Sequence, residues 1–188
     1  MLTRRFEEAL LYATRLHAGQ TRKGSGVPYI SHLMAVAALT LEFGGGEDEA
    51  IAALLHDAVE DQGGPETRAE ILRLFGPRIT AIVDGCTDTD EHPKPPWRAR
   101  KEAYIEHLRT APRSVRLVSA CDKLHNARSL ARDYRSEGES LWDRFSGGRE
   151  GTLWYYRAVM DALSCHGVSP LIEELDRAVA ELESLASG

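Results

Sequence analysis

The spacing of the apolar residues is the feature that most constrains the fold of this chain. In residues 170–186, Leu171, Leu175, Val179 and Leu182 recur every three or four positions, which is the period of an amphipathic helix. The same spacing recurs along most of the sequence, and few segments alternate between apolar and polar residues as a half-buried strand does. We therefore predict an all-α fold of roughly eight to eleven helices.

Turn and cap signals indicate where the predicted helices begin and end. Ser31 is the expected N-cap of the second helix, and the polar, proline-rich segment 87–96 is expected to be a loop. No linker divides the chain, so we predict a single domain over residues 1–188, with a core at 3–131 and a C-terminal helical part at 139–187. The predicted helices are 3–17, 32–43, 48 to about 59–61, 66–75, 78–86, 97–109, 113–132, 149–166 and 170–186.

Composition and charge argue against several classes of function. The chain has 188 residues and a net charge of −6, which disfavours a broad basic surface for a nucleic-acid polymer. Its three cysteines are widely spaced, so a disulfide framework is not expected. The N-terminus carries no apolar run suited to a signal peptide or a membrane span. We expect a cytoplasmic protein without a membrane partner; the sequence leaves the oligomeric state open, a homodimer included.

A group of polar residues interrupts the apolar segment 54–61, whose sequence is LLHDAVED. At about 100° per residue, His56, Asp57, Glu60 and Asp61 are expected to project from one side of a single helix. Buried carboxylates need a partner, and a bound cation supplies one. Imidazole and carboxylate groups are suitable ligands for Mn²⁺, Fe²⁺ or Zn²⁺, but one helix cannot surround an ion, so further ligands must come from elsewhere.

Two other segments offer such ligands. His32 follows the sequence PYIS among apolar residues, and Asp122 lies in the apolar segment VSACDKLHNARSL. Asp122, Asn126 and Ser129 are spaced i, i+4 and i+7, so they share one helix face. Each residue alone is more simply explained as structural. The ordered set of His32, His56-Asp57 and Asp122 predicts a site for one divalent cation.

With these segments in view, the chain resembles the HD-domain hydrolases of the RelA/SpoT type. The resemblance covers about residues 3–131, and the tail at 142–159 is similar to the short stand-alone members, the small alarmone hydrolases. It implies an all-α HD fold, one Mn²⁺ ion, and hydrolysis of the 3′-pyrophosphate of ppGpp or pppGpp to GDP or GTP and pyrophosphate. The matching segments are HAGQ (17–20), RK (22–23), SGVPYISH (25–32), HDAVED (56–61) and DKLHN (122–126).

The resemblance also assigns roles to individual positions. It implies that His32, His56, Asp57 and Asp122 bind the metal, and that Glu60 and Asp61 are the catalytic acids. It implies that Arg22, Lys23, Asn126 and Ser129 contact the nucleotide. The aromatic run 154–156 can offer a ring to that nucleotide, and Tyr155 is our candidate. Gly24 is an extra residue relative to the long bifunctional members, so it affects the expected base contacts and not the metal ligands.

Two alternatives stay open at this point. The chain can be an HD phosphatase that acts on another nucleotide, such as the 2′-phosphate of NADPH or a nucleoside monophosphate. It can also be a catalytically silent module that binds the alarmone, although the complete set of candidate ligands argues against that. The segment RK…PYISH favours the alarmone, since a general HD phosphatase does not need it.

Overall fold

A computed structural model of the chain describes residues 1–89 and 93–187. Over these residues it contains ten α-helices, one 3-10 helix and no strand, which confirms the all-α prediction. No helix in this described part is long and apolar enough to cross a membrane. The elements are α1 (Arg4–Leu16), α2 (Ile30–Glu42), α3 (Glu47–Leu55), α4 (Ala58–Asp61), α5 (Gly64–Phe75), α6 (Pro77–Cys86), α7 (Trp97–Thr110), α8 (Arg113–Glu137), the 3-10 helix (Gly138–Arg144), α9 (Gly148–Ser164) and α10 (Pro170–Ser187).

The long helix α8 lies at the centre of the fold. It packs against α2, α3, α6, α9, α10 and the 3-10 helix. Val118, Cys121 and Leu124 on this helix are fully buried, as are Leu33 on α2 and Leu55 on α3. Each large apolar side chain buried in this way contributes about 1.5–3 kcal/mol to folding. The residues of α2, α3 and α8 that face one another are therefore held in close packing.

The prediction of one continuous helix from residue 48 to about 59–61 is wrong. Helix α3 ends at Leu55, and the short helix α4 begins at Ala58. The carbonyl of Ala53 accepts a hydrogen bond from Nδ1 of His56 at 2.8 Å, whereas in a continuous helix it accepts from the amide four residues later. The imidazole thus takes a backbone acceptor at the helix end, and the chain turns at His56 and Asp57.

Two other predicted boundaries also differ from the structure. Helix α2 begins at Ile30 after Tyr29, so Ser31 lies inside the helix and is not its N-cap. Helix α8 extends to Glu137, five residues past the predicted end, and stops at Gly138, which has a φ of 62° that favours glycine. The predicted loop 87–96 includes residues 90–92, which lie outside the described residues.

Candidate active site

Three segments bring the four predicted metal ligands together. Helix α2 supplies His32, the turn between α3 and α4 supplies His56 and Asp57, and α8 supplies Asp122. Nε2 of His56 lies 3.1 Å from Oδ2 of Asp57 and 3.6 Å from Oδ1 of Asp122. Nε2 of His32 lies 3.7 Å and 3.2 Å from the same two oxygen atoms. Both imidazoles and both carboxylates therefore point at one small volume in the core.

The other nitrogen of each imidazole has a hydrogen-bond partner that orients the ring. Nδ1 of His56 donates to the carbonyl of Ala53, and Nδ1 of His32 lies 2.8 Å from Nδ1 of His125. Burial, together with His32 and Arg22, lowers the pKa of His125 to about 4, so at neutral pH it is uncharged and its Nδ1 can accept from His32. The Nε2 atoms of His32 and His56 are buried and have no hydrogen-bond partner. Two such nitrogen lone pairs fit a metal ion.

The charges at this site also fit a cation. Burial raises the pKa of Asp57, but the charge of His56 beside it outweighs burial and holds that pKa well below its ordinary value. Burial likewise raises the pKa of Asp122, and Lys123 and the two histidines outweigh it. Burial lowers the pKa of His56, yet Asp57 and Asp122 raise it well above its ordinary value. The buried carboxylate of Asp122 and the half-buried carboxylate of Asp57 thus require positive charge between the imidazoles, and a divalent ion supplies it.

The donor set is compatible with a transition-metal ion of the Mn²⁺, Fe²⁺ or Zn²⁺ type. One ligand atom each of His32, His56 and Asp57 lies within 4.8 Å of the others, and Asp122 approaches both imidazoles from α8. Tyr29 donates from its hydroxyl to Oδ2 of Asp57 at 2.5 Å. Such a hydrogen bond fixes the direction of a ligating carboxylate.

Glu60 and Asp61 lie on α4, beyond the four candidate ligands. Oε1 of Glu60 accepts from Nζ of Lys94 at 2.9 Å, and Oδ2 of Asp61 accepts from Nε2 of Gln20 at 2.8 Å. The side chain of Asp61 reaches solvent, but neighbouring protein atoms partly desolvate it. This desolvation and the charges of Asp57 and Glu60 raise its pKa. The two predicted catalytic acids therefore lie outside the buried cluster, Glu60 half-buried and Asp61 exposed, and neither is among the residues that line the cavity described below.

A cavity of about 490 Å³ lies beside the candidate metal site. This volume suits a small-molecule ligand. Its wall combines cationic side chains, aromatic rings and small polar groups, as a nucleotide requires. The wall includes Arg22, Lys23, Ser25, Tyr29, Ser31, His125, Asn126, Ser129, Arg132, Asp133, Arg144, Phe145 and Tyr156.

Hydrogen bonds connect the cavity directly to the candidate metal site. Arg22 donates from its guanidinium to Oδ1 of Asn126 at 2.7 Å, and Nδ2 of Asn126 donates to Oδ1 of Asp122. Arg22 also lies over the ring of Tyr29, 5.9 Å from its centre. Four of the five predicted nucleotide contacts, Arg22, Lys23, Asn126 and Ser129, line this cavity.

The fifth predicted contact lies elsewhere. Tyr155 is 7% exposed and packs near Trp97, Lys101 and Lys123. Its neighbour Tyr156 lines the cavity instead. Consecutive residues of a helix point about 100° apart, so the choice between the two rings depends on how α9 is rotated against α8, which the aromatic run does not encode.

Several residues of the site were missed by sequence reasoning. Tyr29 and His125 orient candidate ligands, and Lys123 pairs with Asp122. Arg144 lines the cavity, and its side chain lies against Gly24. Gly24 has a φ of 80°, and a Cβ atom there would overlap the side chain of Arg144. The spacing of His125 three residues after Asp122 was a usable signal for a residue near the site. Nothing in the sequence links Arg144 to residue 24.

Comparisons with known proteins agree with this geometry. The model of the HD domain family matches residues 9–153, and the chain belongs to that family. A solved structure of a metazoan orthologue of SpoT, described as hydrolysing ppGpp and acting in starvation responses, superposes with a TM-score of 0.80. It is 28% identical, and the match covers 96% of this chain and 97% of that one. The resemblance to HD-domain proteins of the RelA/SpoT type is therefore confirmed.

Two curated relatives illustrate the range of lengths in the family. The bifunctional (p)ppGpp synthase/hydrolase SpoT of Escherichia coli is 33% identical over 92% of this chain, and the match spans only 24% of SpoT. The guanosine-3′,5′-bis(diphosphate) 3′-pyrophosphohydrolase MESH1 of Xenopus tropicalis is 39% identical over 66% of this chain and 69% of MESH1.

Proposed function

We propose that this chain is a metal-dependent phosphohydrolase that removes the 3′-pyrophosphate of ppGpp or pppGpp, giving GDP or GTP and pyrophosphate. The observation that carries the proposal is the hydrogen-bond chain from Arg22 through Asn126 to Asp122. It joins a cationic, nucleotide-sized cavity to a cluster suited to a catalytic cation. The activities for which MESH1 and the metazoan SpoT orthologue are named support the same substrate.

In this proposal His32, His56, Asp57 and Asp122 bind one Mn²⁺ ion. Such an ion lowers the pKa of a bound water and withdraws charge from a phosphoryl oxygen. His125 and Tyr29 keep two of the ligands in position, because each is hydrogen-bonded to one of them. Mn²⁺ is chosen over Fe²⁺ and Zn²⁺ by analogy with the family alone, since the donor set accepts all three.

Glu60 and Asp61 serve the proton transfers from helix α4. Water attacks the phosphorus next to the ribose 3′ oxygen, and the bond between that phosphorus and the 3′ oxygen breaks. One of the two acids accepts a proton from the water, and the leaving 3′ oxygen receives a proton. Asp61 is suited to hold a proton because its pKa is raised, whereas Glu60 is paired with Lys94.

Arg22 and Lys23 bind the nucleotide from the loop before α2, and Asn126 and Ser129 bind it from α8. A guanidinium can pair with a phosphate through two hydrogen bonds or stack on a base. Because Arg22 is already held by Asn126, its guanidinium is oriented before the substrate arrives, which reduces the entropy lost on binding.

The test offers purified, Mn²⁺-loaded protein ppGpp, pppGpp, NADPH and a nucleoside monophosphate, and measures released pyrophosphate and phosphate. We expect pyrophosphate from the two alarmones and no comparable release from the others. Asp122→Asn is the matched inactive variant. Release of phosphate from NADPH at a similar rate would instead favour the alternative that the chain is an HD phosphatase acting on NADPH. Binding of ppGpp without turnover in the metal-loaded protein would leave a silent binding module.

The metal assignment has its own test. Chelated protein is reloaded with Mn²⁺, Fe²⁺ or Zn²⁺, and both bound metal and pyrophosphate release are measured. We expect one ion per chain and the highest rate with Mn²⁺. A higher rate with another ion would change the metal while leaving the ligand set intact.

A further inference from the structure

One acidic side chain stands out in the wall of the cavity. The charged residues of this wall include Arg22, Lys23, Arg132 and Arg144. Among the described residues of the wall, Asp133 is the only acid. A phosphorylated ligand is repelled by a carboxylate. An acid in such a cavity is therefore useful only where it faces a part of the ligand that donates hydrogen bonds.

The position of Asp133 separates it from the phosphate end of the site. Asp122, Asn126, Ser129 and Asp133 are spaced i, i+4, i+7 and i+11, so they follow one face of α8. At 1.5 Å per residue, Asp133 lies about 16 Å along the axis from the candidate metal ligand Asp122 and about 10 Å from Asn126. A nucleotide whose 3′-phosphate lay at Asp122 would have room to extend along this face towards Asp133, because Asn126, Ser129 and Asp133 line one cavity.

The carboxylate of Asp133 has an oxygen atom available for a ligand. Nε and one terminal nitrogen of Arg132 both donate to Oδ1, at 3.1 and 3.0 Å. Oδ2 has no hydrogen-bond partner within the described part of the chain. Arg132 is 69% exposed, so this pair contributes little to stability and leaves the carboxylate able to change partner.

We propose that Asp133 recognises the base of the substrate and selects guanine over adenine; this inference rests on the function proposed above. Guanine presents two adjacent donors, N1–H and the N2 amino group, and an ionised carboxylate offers only acceptors. One carboxylate can therefore accept both. Adenine presents the acceptor N1 at the same edge, which places two acceptors against each other and leaves both without a hydrogen bond.

Aromatic groups in the same cavity complete a base site. Phe145 lies in the wall beneath Lys23, whose Nζ is 5.7 Å from the centre of the ring. Tyr156 lines the same cavity from α9. A planar base can stack on such a ring whatever its identity, so stacking supplies affinity and Asp133 supplies the choice of base.

The test compares ppGpp with its inosine and adenosine counterparts in the Mn²⁺-loaded protein and in Asp133→Asn and Asp133→Ala. We expect wild type to prefer guanine over adenine by about 10-fold or more in kcat/KM, with inosine between them because it keeps N1–H and lacks the amino group. In both variants we expect KM for ppGpp to rise about 10-fold, KM for the adenosine compound to change little, and the preference to be lost. Asp161→Asn, an aspartate outside the cavity, is the control.

Equal losses for all three bases, or an unchanged guanine preference in the variants, would overturn the assignment of Asp133. Calorimetric titration with GDP and ADP keeps the result separate from the proposed activity. If wild type releases no pyrophosphate from ppGpp, the proposed hydrolysis fails. A preference for GDP that Asp133→Asn abolishes would then still support the base assignment, and equal affinities for GDP and ADP would reject it.

Discussion

The candidate metal centre and the cavity beside it share helix α8 but are built differently. At the metal centre, His32 and His56 are 0% and 3% exposed, and they are carried by helix α2 and by the turn between α3 and α4. In the cavity, Arg22 and Lys23 come from the loop before α2, and Arg144 comes from the end of the 3-10 helix. The first region holds its groups by close packing together with hydrogen bonds, whereas the second relies on hydrogen bonds and ion pairs of loop and helix-end residues.

This difference corresponds to two chemical tasks. Metal coordination tolerates distance changes of only about 0.2 Å, so its ligands belong on rigid elements whose neighbours leave no room to move. A nucleotide cavity admits its ligand and releases its product, which a loop allows. We therefore expect variants at the metal centre to abolish metal binding and turnover, and variants in the cavity to change substrate affinity.

The largest expected effect is that of Asp57→Ala. It removes one proposed ligand and the acceptor of the Tyr29 hydroxyl. We expect bound metal to be lost and pyrophosphate release to fall by more than about 100-fold, beyond the effect of a typical residue that only supports a ligand. Metal analysis and the release assay check this, with Asp161→Ala as control. A variant that keeps both metal and turnover would remove Asp57 from the metal centre.

His125→Phe is expected to have the next largest effect, because His125 orients the candidate ligand His32 without being a ligand itself. Loss of the hydrogen bond to Nδ1 of His32 should lower metal affinity by about 10–100-fold, measured by competition with a chelator. His125→Asn retains a hydrogen-bond acceptor, so its metal affinity should lie between that of His125→Phe and that of wild type. His166→Phe changes an exposed histidine and should have no effect; equal affinities in all four proteins would contradict the orienting role.

In the cavity, Arg22→Ala should act on affinity alone. We expect KM for ppGpp to rise about 10-fold, because a hydrogen bond to a charged group is lost. Bound metal should stay at the wild-type level. Steady-state kinetics and metal analysis on the same preparation separate a loss of substrate affinity from a loss of metal. Arg15→Ala, on the exposed face of α1, is the control. A fall in bound metal with KM unchanged would place Arg22 with the metal centre.

The smallest effect concerns the frame that carries the metal centre. Glu49 accepts from the Gly46 amide at 2.9 Å and from the Ser114 hydroxyl at 2.7 Å, which connects the start of α3 to α8. Burial raises the pKa of Glu49, but these hydrogen bonds outweigh it and lower that pKa below its ordinary value of 4.5. Its stabilisation is therefore present above pH 4.5 and is lost as the pH falls towards the lowered pKa.

We expect Glu49→Gln to lower the free energy of unfolding by about 1 kcal/mol at pH 7, measured by urea denaturation. The difference between variant and wild type should shrink at acid pH, because the wild-type carboxylate is then protonated as well. A difference that stays constant with pH would show that the charge of Glu49 contributes nothing.

The two regions also differ in how far they could be predicted. The candidate ligands His32, His56, Asp57 and Asp122 could be proposed because rare polar residues interrupt apolar helices in a recognisable order. The turn between α3 and α4 could not be predicted, because it depends on the side chain of His56 taking the carbonyl of Ala53 in place of a backbone amide. In the cavity, Arg22 and Lys23 belong to a motif and Tyr156 belongs to the aromatic run 154–156, whereas nothing in the sequence pointed Asp133 or Arg144 towards the cavity.

The sequence by itself determined the helical class, most helix positions and the residue types available for metal chemistry, because these depend on local periodicity and on the cost of burying charge. The tertiary structure alone decided which nitrogen atoms lack a hydrogen-bond partner, which of two adjacent tyrosines lines the cavity, and that Asp133 shares a wall with Arg22. Those outcomes depend on the rotation and spacing of packed helices, and residues more than 100 positions apart meet only when the core has formed.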